Sequence, residues 1–190
     1  MGKAYEKLEA RHRAFIAEQR MFFVATAPRA DDGHVNVSPK GYDSFEVLDD
    51  RTVAYVDMGG SGIETVAHVK ENGRLTIMFC AMSGPPNILR LYGKAKVLER
   101  EDPGFETMLS RFPKLPRVRN ILVLSISRVS DSCGFGVPLY EYVGNRDQFE
   151  RYMERRTPED IRTSELAGNM QSIDGLPGLS KSSVQGRPPS

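Results

Sequence analysis

The sequence predicts a mainly β protein, an antiparallel sheet closed into a small barrel with helices on its periphery. Three observations predict it. Six short runs rich in Val, Ile, Phe, Tyr and Thr follow one another between residues 21 and 130: MFFVATA, HVNVSP, TVAYVD, RLTIMFCA, NILRLYGKAKVLE and NILVLSISRVS. Turn-forming punctuation, DDG, DD, GGSG, ENG and SGPP, separates them. Few intervals are long enough for the helix that each crossover of a parallel sheet needs, so strands at this spacing pair antiparallel.

Residues 3–20 place Tyr5, Leu8, His12 and Phe15 at helical spacing among charged residues, which predicts an amphipathic helix packed on the barrel. His12 falls on or beside the apolar face, as a packing residue. In HVNVSPKG, Pro39 cannot donate to a sheet ladder, so this strand belongs at an edge, a bulge or a strand end. TVAYVD passes through GGSG into the helix IETVAHVKEN, with Ser61 and Glu64 as a capping box and Gly73 as its end. His68 within that helix, and His34 beside a turn, read as surface or cap residues.

Within NILRLYGKAKVLE, Leu91, Gly93, Ala95 and Val97 share one face and Arg90, Tyr92, Lys94 and Lys96 the other, so one side is core and one is wet. Asp102 and Pro103 open a helix bearing Phe105, Met108, Leu109 and Phe112, Asn145 with Gln148 opens DQFERYMERR, and Thr157 opens another that Gly168 stops. The remainder, NMQSIDGLPGLSKSSVQGRPPS, is too rich in Ser, Gly and Pro to build a core. It is either disordered or an arm laid along a partner, with Ile173, Leu176 and Leu179 as anchors. The expected organisation is an N-terminal helix (1–20), a barrel domain (21–156) and a C-terminal helix with an extended arm (157–190).

A chain of 190 residues with 39% hydrophobic content suffices for one domain with its own core. Lys and Arg total 26 against 25 Asp and Glu, a net charge of +1, so no global field recruits nucleic acid or an anionic membrane. Cys80 and Cys133 lie far apart without CxxC or Cys/His spacing, which argues against zinc and disulfide frameworks and for reduced thiols in the cytoplasm. The start, MGKAYEKLEARHRAF, has no apolar core before a cleavage site, and no apolar run is long enough to span a membrane. The expectation is a soluble cytoplasmic protein.

Hydrolytic and metal chemistry lack their motifs: there is no GxSxG, HExxH, P-loop or strand-linked GxGxxG, and His12, His34 and His68 are scattered. Two stretches remain. DMGGSGIET joins a strand to a helix through small residues and points the amides of Gly62, Ile63 and Glu64 at whatever lies above the helix start, either an anion or nothing more than a tight turn. In VNVSPKG, Asn36, Ser38 and Lys40 alternate with Val35 and Val37, which makes either a polar ligand face or a solvated outer strand.

Taken in order, HVNVSPKGYDSF, TVAYVDMGGSGIETVAHVKENGRLTIMFC, NILRLYGKAKVLE and SDSCGFGVPLYEYVG resemble the pyridoxamine 5′-phosphate oxidase-related flavoproteins, the FMN-binding split-barrel group, and most of all a branch carrying the CGFGVP segment. The resemblance runs from about Met21 to about Tyr152. It implies a six-stranded split barrel that forms a homodimer, with FMN in two grooves at the subunit interface. Asn36, Val37, Ser38, Pro39, Lys40 and Gly41 would then run beside the flavin ring and ribityl chain, and Gly60, Ser61, Gly62 and Thr65 would face the phosphate. Asn87 would present its amide to the ring, Arg90 would help hold the anion, and Cys133, Gly134 and Phe135 would come from the second subunit.

Two departures from the oxidase proper stand out, Val35 in place of an Arg, and Glu64 and Thr65 in place of an Arg-Lys pair. They argue against pyridoxamine phosphate as substrate. They also imply that Glu64 folds back as a capping partner while Thr65, the helix amides and a combination of Lys40, Arg90 and Arg119 hold the anion. The implied activity is FMN-dependent oxidoreduction between NAD(P)H or another donor and an unidentified small molecule, the flavin itself supplying the chemistry with no side chain assigned as acid or base. Tyr42, Tyr92 and Cys133 either line the substrate side or are packing. The alternatives are a flavin-sensing module without turnover, and a relative that holds F420 or haem in the same groove.

Overall fold

The computed structural model describes residues 2–185. In chain order the elements are β1 (Ala4–Tyr5), α1 (Ala10–Glu18), β2 (Phe22–Thr26), β3 (Asn36–Lys40), β4 (Phe45–Val47), β5 (Thr52–Met58), α2 (Glu64–Asn72), β6 (Arg74–Cys80), β7 (Ile88–Leu98), α3 (Phe105–Leu109), β8 (Val118–Ser132), α4 (Gln148–Glu154), α5 (Pro158–Gly168) and α6 (Lys181–Gln185). All six expected strands form. Two more, β1 and β4, are too short for an alternating pattern to announce them. Among the described residues no helix is long and apolar enough to cross a membrane.

The strands pair antiparallel in the order β3-β2-β6-β7-β8-β5-β4, with β1 on β8. The sheet wraps on itself, since Phe22 of β2 meets Phe45 of β4 at 5.1 Å and Tyr55 of β5 at 5.6 Å, and Phe45 reaches Phe79 of β6 at 5.1 Å. It does not close. β3 and β4 end the hydrogen-bonded path without pairing to each other, joined only by residues 41–44, where Tyr42 and Asp43 adopt φ of 64° and 53°. These two residues form a tight turn, closed by the Ser44 N–H donating to the Gly41 carbonyl at 3.3 Å, and the chain leaves it along β5 rather than back along β3. The barrel is split, as the resemblance implied, where strand pattern alone had suggested a closed one.

Val24, Val53, Tyr55, Ile77, Leu89, Leu91, Leu122 and Leu124 fill the interior, and Leu8 and Ile16 of the N-terminal segment pack onto them. The register places Ser38, Val24, Ile77, Leu91 and Val129 in one row, so the polar residues of β3 turn inward along the same face as the core. A second cluster covers the opposite face of β5 and β8, where Ala54, Val56, Ile121 and Val123 meet Phe105 and Phe112. Burial on both faces explains why TVAYV is nearly continuous apolar sequence.

Several local expectations are corrected. Residues 3–20 are not one helix: Tyr5 lies in β1, and α1 begins at Ala10 with a reciprocal cap in which the Glu9 N–H donates to His12 Nδ1 at 3.1 Å. His12 is buried, as a packing residue should be. α2 ends at Gly73 (φ 72°), as expected, but begins after Ile63 with no side-chain cap, so Ser61 and Glu64 do not form a capping box. His68 is fully buried, its Nδ1 3.0 Å from Thr26 Oγ1, because α2 is covered on both sides rather than one. α3 follows Gly104 rather than Asp102, whose carboxylate takes the Glu99 N–H, and α4 starts after Asp147 rather than Asn145. Thr157 does open α5, exchanging hydrogen bonds with Asp160.

The second cover of α2 is the C-terminal segment, whose described part is ordered against its own chain. Residues 169–185 fold back over the start of α2 as a strap, pinned by a bridge between Gln171 and Pro177 and by Leu179 and Val184, which pack on Ile63 and Val66. Each fully buried aliphatic side chain of this kind contributes about 1.5–3 kcal/mol. Ile173 does not anchor it, being 69% exposed. Residues 186–190 of the expected arm lie outside the described residues.

Candidate functional site

β4 covers β5 only as far as Tyr55, so the end of β5 faces β3 across the open seam of the barrel. A cavity of about 150 Å³ lies there, lined by Asn36, Ser38 and Lys40 of β3, Asp57 of β5, Arg119 of β8, and the Gly60–Thr65 approach to α2. Asp57 is its floor and is fully buried. One carboxylate oxygen accepts from Lys40 Nζ at 2.9 Å; the other accepts from Arg119 Nη2 at 2.7 Å, Arg119 Nε at 3.0 Å and Asn120 Nδ2 at 3.2 Å. Burial alone would raise the Asp57 pKa, but the charges of Arg119 and Lys40 outweigh it and hold the carboxyl below its ordinary value.

The same cations organise the glycine turn. Arg119 Nη1 donates to the Gly60 carbonyl at 3.1 Å, and Asn169 of the strap donates to Gly60 O at 3.1 Å and Ser61 O at 3.3 Å. With its carbonyls engaged, the turn delivers the chain to α2, whose first amides have no partner within the helix. A Cβ on Gly59 would lie 2.4 Å from Arg117 Nε, whereas a Cβ on Gly60 would meet nothing within 4 Å. Gly59 is thus a packing glycine, and Gly60 looks onto the groove. Asn36 Nδ2 donates to Thr65 Oγ1 at 2.9 Å and ties β3 to the helix start.

Glu64 takes none of the roles expected of it. Its Oε1 accepts the Ile173 N–H of the strap at 3.4 Å, and its Oε2 lies 2.7 Å from where a Gly62 Cβ would stand. Nearby, His34 at the approach to β3 clasps the strap: its Nδ1 is 2.6 Å from one oxygen of Asp174, and its N–H donates to the other at 2.9 Å. The hydrogen bond and charge of Asp174 raise the His34 pKa, and His34 in turn lowers that of Asp174.

Of the sequence-predicted residues, the seam gathers Asn36, Ser38, Lys40, Gly60, Gly62 and Thr65. Val37 and Pro39 alternate with these and project from the outer face, Val37 being 60% exposed, and Ser61 lies in the turn without capping. Gly41 begins the strained connection to β4. Within one chain Arg90 does not join Lys40: the register Pro39, Phe23, Met78, Arg90 puts it on the outer face, opposite the side chain of Lys40, where it donates to Ser132 Oγ at 3.1 Å. Asn87 and Gly134 pack backbone to backbone, and a Cβ on Gly134 would lie 3.0 Å from the Asn87 main chain. Cys133 and Phe135 beside them are exposed.

Within one chain these residues form a group apart from the seam. Tyr42 donates its hydroxyl to the Arg146 carbonyl, and Tyr92 lies half-buried on the outer face. A wider cleft of about 610 Å³ between α3 and α4 holds none of the predicted residues. Among the described residues no three His, Cys, Asp or Glu side chains gather into a metal-binding group. The sequence reading missed Asp57 and Asp174. Asp57 left a signal, a lone carboxylate in an otherwise apolar strand, which must be paired if it is buried. Asp174 left none.

Comparison with known proteins bears on what such a seam is for. Residues 8–133 match the family model described as pyridoxamine 5′-phosphate oxidase. Over 192 aligned residues the chain is 38% identical to the pyridoxamine 5′-phosphate oxidase family protein ustO of Aspergillus flavus, covering 92% of this chain and 77% of that one. Among solved structures it shares its fold with HupZ of Group A Streptococcus. A histidine-to-alanine variant of that protein superposes with a TM-score of 0.52 at 20% identity, over 65% of this chain and 98% of the other. Another HupZ structure gives 0.50 at 21% identity, over 64% and 91%.

Proposed function

The chain belongs to the pyridoxamine 5′-phosphate oxidase family, and from that premise we propose that it is an FMN-dependent oxidoreductase acting between a nicotinamide or other reduced donor and a small molecule. The observation that carries this reading is the seam, where alternate polar residues of an edge strand face the amino end of a helix across a gap in the barrel. When bound, FMN supplies the redox chemistry by taking up and returning a hydride at its ring. Asn36, Ser38 and Lys40 offer a polar row to the ribityl chain, Gly60 gives it room, and Thr65 with the first amides of α2 faces the far end. Asp57 serves this arrangement by fixing Lys40 and Arg119 in position.

At about 150 Å³ the cavity is well below the roughly 300 Å³ at which ligand pockets usually begin, so it is the size of a polar tail and not of a tricyclic ring. The ring must lie outside it, and a second copy of the chain is the cover we propose. Val35 and Val37 on the outer side of the edge strand are 71% and 60% exposed, and Phe135, Leu139 and Val143 after β8 are 81%, 76% and 95% exposed. Asn87, Arg90 and the Cys133 segment would then approach the flavin from the partner's side. The near-neutral lining speaks against a second phosphorylated substrate such as pyridoxamine phosphate.

The absorbance spectrum of the purified protein, with mass analysis of the released chromophore, is the test. Flavin absorbance that bleaches with NADH or NADPH supports the proposal. Flavin without donor oxidation above the free-flavin rate assigns a sensing role, and an F420 or haem spectrum assigns the groove to that group. Folded protein that binds no FMN in an equilibrium titration overturns the reading.

A further inference from the structure

We infer that Glu64 occupies the anion seat of this groove, so that a flavin is held with little regard to its phosphate and exchanges with solution as a co-substrate. The inference rests on the flavin reading and adds to it the mode of binding. Four ionised side chains line the groove, Lys40 from β3, Asp57 from β5, Glu64 from α2 and Arg119 from β8. Two cations against two carboxylates leave no net charge. Both cations are engaged with Asp57, at 2.9 and 2.7 Å, so neither is free to move onto a ligand without uncovering a buried carboxylate.

The remaining attraction for an anion is the amino end of α2, and the Glu64 carboxylate lines the cavity beside that end without capping the helix. Its Oε2 lies over Gly62, 2.7 Å from the site of a Cβ, and its Oε1 takes the Ile173 N–H at 3.4 Å. A carboxylate at the positive end of a nine-residue helix is favoured there and competes directly with any phosphate. The strap keeps it so. Asn169 bonds the turn, Leu179 packs on Ile63, and the clasp of Asp174 to His34 holds Ile173 against Glu64. A phosphorylated ligand must therefore displace Glu64 or sit beside it, and gains little over its unphosphorylated counterpart. Binding then rests on the polyol and ring, and a flavin held without its phosphate contact dissociates faster than one anchored by it.

Isothermal titration calorimetry of riboflavin and FMN at fixed ionic strength tests this on the wild type, Glu64→Gln and Glu64→Ala, with circular dichroism to confirm folding. Wild-type affinities for the two ligands are expected to agree within about threefold, and each substitution to tighten FMN by about tenfold or more while moving riboflavin less than about twofold. Wild-type FMN should also be lost on desalting. If the wild type prefers FMN by more than about thirtyfold, or if both substitutions leave the ratio unchanged, the inference is overturned while the flavin reading stands. Folded protein that binds neither ligand overturns both.

Discussion

Asp57 concentrates the physics of the seam in one side chain. Removing its charge leaves Lys40 and Arg119 facing each other across a fully buried position, and breaking a buried ion pair typically costs about 3–5 kcal/mol. Asp57→Asn should lower stability by that order in urea denaturation, far more than any substitution of the exposed Arg151–Asp147 pair. The pH dependence follows from the sign of its shift. A carboxyl held below its ordinary value contributes fully above about pH 4, and that contribution is lost as pH falls through the lower folded-state pKa. Acid unfolding should therefore be steeper in the wild type than in Asp57→Asn, and equal slopes would count against the pairing. The glycines beside it separate two roles. Gly59→Ala forces Arg117 to move and should cost about 1–3 kcal/mol, whereas Gly60→Ala has open space and should leave thermal stability nearly unchanged while weakening flavin binding. At this scale the sequence was informative about Asn36, Ser38 and Lys40, because strand alternation fixes a face. It did not show that Arg90 and Lys40 lie on opposite faces of one chain, because which face a residue shares with another strand depends on register, and register is set by pairings distant in the chain.

At the scale of elements, the strands were legible and the helix starts were not. Alternation and turn residues act locally, so six strands and the Gly73 stop could be read directly. The Ser61–Glu64 capping box failed because the Glu64 carboxylate takes a tertiary partner, the Ile173 N–H, in place of the Ser61 N–H on which the box depends. The strap was illegible for a similar reason: a Ser- and Gly-rich segment with no core of its own can borrow one, here Ile63 and Val66. Its clasp predicts a pH response. Asp174 raises the His34 pKa above its ordinary value near 6.5, so the charged pair is complete below that pH and is lost as pH rises through the elevated value. The buried His68, whose pKa is lowered chiefly by desolvation, stays neutral across this window. Hydrogen exchange over residues 169–180, corrected for intrinsic rates, should accelerate as the pH rises above about 6.5 in the wild type and lose that step in His34→Gln. An unchanged step in the variant would assign the pH response to another group.

For the whole molecule, a half-built site is the argument for a second copy. The seam offers room for a polar tail, Asn87, Arg90 and Cys133, which the resemblance places against the flavin, lie away from it in the same chain, and the edge strand turns Val35 and Val37 outward into water. An edge strand with exposed β-branched residues and no covering element is the kind of surface that proteins either charge or pair, and this one carries no charge on its outer face. A two-fold arrangement would cover those valines and bring the second group of residues to the groove. Val37→Glu tests that arrangement without touching the core, since the side chain is 60% exposed and its neighbours Asn36 and Ser38 keep their inward positions. Light scattering should report a dimer for the wild type and a monomer for the variant, with the melting temperature of the barrel shifted by no more than about 2–4 °C and flavin binding lost in step with the dimer. A variant that remains dimeric and still binds flavin would place the interface elsewhere. A monomeric variant that binds flavin as well as the wild type would mean that one chain suffices for the ring, and the group around Arg90 would then need a different purpose.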